Sequence, residues 1–268
     1  MPNQPLISCL MVALPVGERL AGLKRSVADY LRQSWAEREL VIVLNGGDRA
    51  VAAVIRSHVA DLGRADICIV EPVGERPLGA LRNIAKAEAG GAILCQWDDD
   101  DLYHPERLQQ QAAALVASGA EAICLEQVMQ FFPGERLLYC DNFRSAPEGG
   151  FAGSIMCWAR APIDYPETGP AARLGEDTAV ALQLKARGAF AVLSDQAHLY
   201  VYVSHGGNSW DDAHHRVLPS RHGFTQGLLR RREAAFRAGL AAIDFGPGPV
   251  TVQGSNGPAF VIQEAQVG

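Results

Sequence analysis

Asp98, Asp99, Asp100 and Asp101 stand side by side between a short apolar run (Ala92, Ile93, Leu94) and a predicted helix. Four adjacent carboxylates do not all stay ionised at close range without a cation. In a strand that ends here, side-chain alternation sends Asp98 and Asp100 to one side and Asp99 and Asp101 to the other. Such an edge suits a hard divalent ion: Mg²⁺ or Mn²⁺ takes one or two protein carboxylates and completes its shell with phosphate oxygens and water. The plainer reading is a solvated acidic turn capping the helix that opens at Pro105, since acids and proline are favoured at helix starts. A second acidic pair, Glu176 and Asp177, opens another predicted helix after Gly175, and His205 follows a predicted strand.

These side chains need a frame, and short apolar runs alternating with helical periodicity supply one. Strands are predicted over residues 6–14, 39–44, 67–70 and 92–97, and helices over 20–33, 49–62 and 78–89. Repeated strand–helix–strand units imply parallel strands, right-handed crossovers and a three-layer sandwich. In such folds ligands sit at the carboxyl ends of strands, where the acidic run falls and where Pro15 and Asn45 should gather. After residue 105 a helix to about 118 precedes a strand over 122–128 and a pair at 130–132 and 137–140 joined by Pro133 and Gly134. A glycine-rich segment, 149–154, introduces a run at 155–158; a helix lies within 174–188, and strands over 190–193 and 198–203. The expected class is α/β, with a mixed, mostly parallel central sheet.

The chain has 268 residues, 48% hydrophobic and 20% charged, enough to bury a large core. No apolar stretch reaches the roughly 20 residues a membrane span needs, and the first residues do not read as a signal peptide. Six scattered cysteines without paired spacing suggest reduced thiols and a cytoplasmic setting. The net charge of −6 argues against nucleic acid as a partner.

The ordered motifs resemble those of glycosyltransferase family 2, with its GT-A fold. They are Ala13-Leu14-Pro15, the strand ending in Leu44-Asn45-Gly46, Gly79-Ala80-Leu81-Arg82-Asn83, the acidic run followed by Leu102-Tyr103-His104-Pro105, Gly175-Glu176-Asp177, and His205. The resemblance covers about residues 6–210. It divides the chain into a nucleotide-sugar-binding half (about 1–105), an acceptor-binding half (about 106–210) and a C-terminal helix with a β-like tail (211–268).

The resemblance implies inverting transfer of a hexosyl or N-acetylhexosaminyl group from a nucleoside-diphosphate sugar, with Mn²⁺ or Mg²⁺ on the diphosphate. By position, Asp98 and Asp100 resemble the two acids of the family's DXD motif, Asp98 near the donor's ribose or sugar and Asp100 on the metal. Pro15, Asn45, Arg82, Asp99 and Gly153 fall on the donor side, and Gly153 and Ser154 resemble a loop beneath donor and acceptor. His205 matches the histidine that completes the metal site, with His214 or His215 as alternatives. Asp177 matches the general base, and Glu176 its neighbour. Many relatives carry acids where this chain has Asn45-Gly46-Gly47; an asparagine can still pair with a pyrimidine edge, so a UDP-sugar is the expected donor.

Structural alternatives stand beside these roles: a helix-surface arginine for Arg82, an acidic first turn for Glu176 and Asp177, a loop histidine for His205. A sugar nucleotidyltransferase is a competing class, but residues 13–19 lack its glycine-rich basic signature. A non-catalytic nucleotide-sugar binder is another. The acceptor, whether glycan, lipid-linked sugar, protein or small molecule, is left open. A predicted helix over 228–240 carries Arg230, Arg231, Arg232 and Arg237; it is either a solvated face or a contact with anionic lipid of the inner membrane surface or with a phosphorylated acceptor. Two β-like runs at 249–252 and 259–262 suggest a hairpin against the domain or against a second copy of the chain.

Overall fold

Consecutive apolar residues that are buried on both sides make parallel strands, and the first, second and fourth strands show this, while the third lies at the sheet edge. A computed structural model describes residues 4–262. In it β1 (Ile7–Ala13), β2 (Arg38–Leu44), β3 (Ile67–Val70) and β4 (Ile93–Gln96) alternate with α1 (Leu20–Leu31), α2 (Arg49–Asp61) and α3 (Leu78–Glu88). β1 pairs in parallel with β2 and β4, and β2 with β3, placing Cys9 between Leu40 and Cys95. The carboxyl ends of β1, β2 and β4 therefore open on the same edge.

The chain continues through β5 (Leu102–Tyr103), α4 (Arg107–Ser118), β6 (Ala122–Leu125), β7 (Gln127–Phe132), β8 (Leu137–Asn142) and β9 (Phe151–Trp158). Then follow α5 (Glu176–Ala186), β10 (Phe190–Leu193), β11 (Tyr200–Val203), α6 (Asp212–His222), α7 (Gln226–Arg231), α8 (Glu233–Leu240), β12 (Val250–Gly254) and β13 (Gly257–Ile262). The main sheet has seven strands in the order β10-β6-β9-β4-β1-β2-β3, with β9 antiparallel to both β4 and β6. Leu23, Val27, Ile55, Leu108 and Leu115 of α1, α2 and α4 pack in one buried cluster, and Leu81, Ala85, Val180 and Leu184 of α3 and α5 in another. That is the expected three-layer arrangement.

A second sheet of six strands, β13-β12-β8-β7-β11-β5, accompanies the expected central sheet. The strand expected over 122–128 is two strands. Glu126 lies at the break, its carbonyl accepting from Phe143 N, and the chain crosses from one sheet to the other. The run at 198–203 begins with a short 3₁₀ turn (Ala197–Leu199), so its strand starts at Tyr200. The helix expected over 228–240 is broken at Arg232, where φ −105° and ψ 9° leave helical geometry. Arg230, Arg232 and Arg237 bond within the chain, to Ala259 O, Asp195 and Glu233.

The tail forms the expected hairpin, and β12 lies parallel to β8 with Thr251 opposite Leu137. It thus packs on its own chain, over a third cluster with Leu229, Phe236 and Leu240; residues 263–268 of the tail lie outside the described residues. All six cysteines are free thiols, five buried and Cys68 exposed. No helix among the described residues is long and apolar enough to cross a membrane.

Candidate active site

β4 ends at Gln96, before the acids begin, so residues 98–101 form a turn and the strand alternation expected for them does not hold. Bonds to the Asp98 backbone help hold the turn: Asp98 N donates to Tyr103 Oη at 2.7 Å, and Ser26 Oγ of α1 donates to Asp98 O at 2.8 Å. Asp99 and Asp100 turn to the same side and share one cation: Arg19 Nη2 lies 2.5 Å from Asp99 Oδ1 and 2.8 Å from Asp100 Oδ2. Asp101 faces inward, accepting from Tyr200 Oη and, at 2.8 Å, from Val203 N. Burial and the neighbouring acids push Asp101 well above the usual carboxylate range, so its work is to tie the turn to β11, which leads directly into His205.

His205 Nε2 lies 3.0 Å from Asp100 Oδ2. Burial works against ionising Asp100, but His205 and Arg19 together bring it below the ordinary value. The opposite effect governs Asp99, where burial and the Asp100 charge outweigh Arg19 and raise it to about 7. The acid run is thus divided: Asp100 is held ionised, beside two acids held toward the neutral form.

Across the cavity, the first turn of α5 presents Glu176 and Asp177. Arg82 of α3 is buried and bridges the two walls, with Nε 2.7 Å from Glu176 Oε1 and Nη2 3.0 Å from Asp98 Oδ1. Arg82 is therefore not a helix-surface arginine. Glu176, 3% exposed, is committed to that ion pair. Asp177 makes its contacts locally, its Oδ1 accepting from Thr178 N at 2.6 Å. Burial and the Glu176 charge raise it to about 7, near neutrality, where a proton acceptor works best.

Arg19, Arg82, Asp98 to Asp101, Gly153, Glu176 and Asp177 line one cavity of about 530 Å³, and His205 stands behind Asp100 without lining it. Among the described residues no group of three or more His, Cys, Asp and Glu side chains could hold a metal ion. The chain does offer Asp100 and His205, 3.0 Å apart, the separation of adjacent ligands on an octahedral ion with ~2.1 Å bonds. Two protein ligands fit a Mn²⁺ or Mg²⁺ whose remaining positions are filled by phosphate and water. Arg82 Nη1 and Asp99 Oδ2 are buried without a partner, and both residues line the cavity, so donor and acceptor capacity is left for a ligand.

The other expected residues divide. Gly153 lines the cavity but sits inside β9, not in a loop. A Cβ on it would lie 2.9 Å from the Phe151 ring and 3.6 Å from Asp177 Oδ2, so the hydrogen keeps room beside the acid. Ser154 is buried, donating to Phe151 O and accepting from Leu125 N; it serves the sheet. Asn45 uses both ends of its carboxamide on the Arg76 backbone, and Pro15 O accepts from Asp48 N; neither lines the cavity. His214 lines it, while His215 is buried and bonded to Tyr202 Oη at 2.8 Å. Arg19, Tyr202, Trp210 and Arg221, none of them given a role from the sequence, also line the cavity. An arginine 80 positions before the acid it meets leaves no spacing pattern to read.

Solved structures share this fold. A mannosyltransferase of Pyrobaculum calidifontis in complex with GDP-Man and Mn²⁺ has 16% identity, TM-score 0.58, and coverage of 88% of this chain and 65% of that one. Staphylococcus aureus TarS 1-349 in complex with UDP has 14% identity, TM-score 0.55, and coverage of 87% and 74%. The complex of that protein with UDP-GlcNAc has 13% identity, TM-score 0.56, and coverage of 89% and 67%. A search of curated protein sequences finds no match. The family model described as "Glycosyl transferase family 2" matches residues 11–152, more than half of the chain. The match spans the acidic run, Arg82 and the strands that place them, and the chain belongs to glycosyl transferase family 2.

Proposed function

We propose that this chain is a metal-dependent, inverting glycosyltransferase that moves a hexosyl or N-acetylhexosaminyl group from a nucleoside-diphosphate sugar, UDP being the expected nucleotide, to an acceptor hydroxyl. The observation that carries the reading is one cavity with Asp98 to Asp100 on one wall and Asp177 on the other. Neighbours of the same fold hold UDP, UDP-GlcNAc, or GDP-Man with Mn²⁺, which supports a nucleotide-sugar donor.

In this mechanism the acceptor oxygen attacks the anomeric carbon from the side facing Asp177, which takes the hydroxyl proton as the bond to the diphosphate breaks. A single displacement with one base inverts the configuration. Glu176 keeps Arg82 in place and, as a neighbouring negative charge, keeps Asp177 basic. Arg82 Nη1 and Arg19 offer positive charge to the departing diphosphate, on which negative charge grows; stabilising that charge lowers the barrier. Asp100 and His205 would hold the divalent ion, which when bound neutralises the same charge.

Incubating the protein with a panel of nucleotide sugars and Mn²⁺ should release a nucleoside diphosphate. Pyrophosphate formed from a nucleoside triphosphate and a sugar phosphate would instead identify a nucleotidyltransferase, and tight donor binding without turnover a non-catalytic binder.

A further inference from the structure

The cavity has a second chemistry beyond its acids. Trp210 stacks on His214, with centroids 4.2 Å apart and planes at 15°. From there ring contacts continue through His215 to Tyr202, then to Phe151 and Phe143 at 5.5 Å and 5.2 Å. Phe143 in turn stacks on His222 at 4.9 Å. This arc joins α6 to β9 and β11 and passes Gly153, next to Asp177. Burial lowers His214 and His215, so their rings stay neutral and add no cationic repulsion.

At the far end of α6, Arg221 lines the same cavity. Most arginines around the site are committed: Arg19 to Asp99 and Asp100, and Arg82 to Asp98 and Glu176. The Arg221 side chain has no hydrogen bond or ion pair among the described residues, and the neighbouring His222 Nδ1 is buried without a partner. Trp210, whose ring stacks on His214, is 40% exposed. A pyranose offers an apolar C–H face to such a ring, and a phosphate or carboxylate offers two oxygens to a free guanidinium.

We propose that this arc is the acceptor subsite, and that it takes a glycoside bearing an anionic group, the sugar on Trp210 and the anion toward Arg221. The inference rests on the reading of the cavity as a glycosyltransferase site and names the acceptor class for it. The Phe151 end of the arc meets Gly153, beside Asp177, where the acceptor hydroxyl must lose its proton.

The test is an NMR titration in the presence of UDP and Mn²⁺ with three probes: methyl glucopyranoside, its 6-phosphate, and methyl glucuronide. Both anionic probes should bind about tenfold tighter than the neutral one, and the tighter of the two tells phosphate from carboxylate. Trp210→Ala should weaken all three, whereas Arg221→Gln should remove the anionic advantage and leave the neutral probe unaffected. Equal affinity for neutral and anionic probes, or UDP binding with no glycoside binding, overturns the assignment. If neither UDP nor GDP binds, the reading of the cavity on which it rests fails first.

Discussion

Asp177 and Asp100 are two carboxylates of one cavity pushed in opposite directions, Asp177 up to about 7 and Asp100 down. A base must be deprotonated to act, so transfer should fall as pH drops through about 7, with the acid limb of the kcat profile reporting Asp177. Asp177→Asn should retain nucleotide affinity and reduce kcat by about 10²–10⁴-fold; near-normal turnover would assign the proton to another group. Asp100→Ala should abolish the Mn²⁺ dependence of UDP affinity in calorimetry, and an unchanged dependence would remove Asp100 from the metal site. Arg19 neutralises Asp99 and Asp100 in the ligand-free chain, so Arg19→Gln should lower stability by about 2–3 kcal/mol. Mn²⁺ with UDP should recover part of that loss in a thermal melt, because another cation then meets the same acids. The acids, Arg82 and His205 were legible because their types and order in the chain already limit their chemistry. Their orientation was not, since Asp99 and Asp100 face the same way only because the strand has ended before them.

At the scale of elements, the alternation of apolar runs located nearly every strand and helix of the first 105 residues, and parallel strands buried on both faces explain why. Elements that change sheet or break midway were harder: the passage from β6 to β7 reads as one strand-like run, Ala122 to Val128, with only Glu126 and Gln127 to mark the crossing. The start of α3 shows how tightly the frame is fitted. A Cβ on Gly79 would lie 2.0 Å from Pro166 O, a backbone atom that cannot swing aside. Gly79→Ala should therefore destabilise the protein by about 1–3 kcal/mol in urea unfolding. It should also disturb Arg82, one turn further along the same helix. A variant as stable as the parent would mean the 166 segment moves freely.

For the whole molecule, the second sheet is the feature that places β11, His205 and α6 over the edge built by β1 and β4. Beneath α6, both oxygens of Asp141 in β8 are buried without a partner, and burial pushes this acid up to about 8. The folded state then binds a proton that the unfolded chain, with a carboxylate near 3.9, has released. Stability contributed by the neutral acid is complete below about 4 and is lost as pH rises through about 8. Asp141→Asn, which removes the charge and keeps the shape, should match the parent at low pH and exceed it increasingly up to pH 9 in denaturant melts. A constant difference would mean Asp141 stays ionised. The sequence alone determined the layered α/β frame and the edge on which the acids fall, because hydrophobic period and strand-end position are local properties. Which acids share a cation, which is buried with Tyr200, and which rings face Asp177 were decided by tertiary structure, because those contacts join residues about 80 to 100 positions apart that no spacing rule connects.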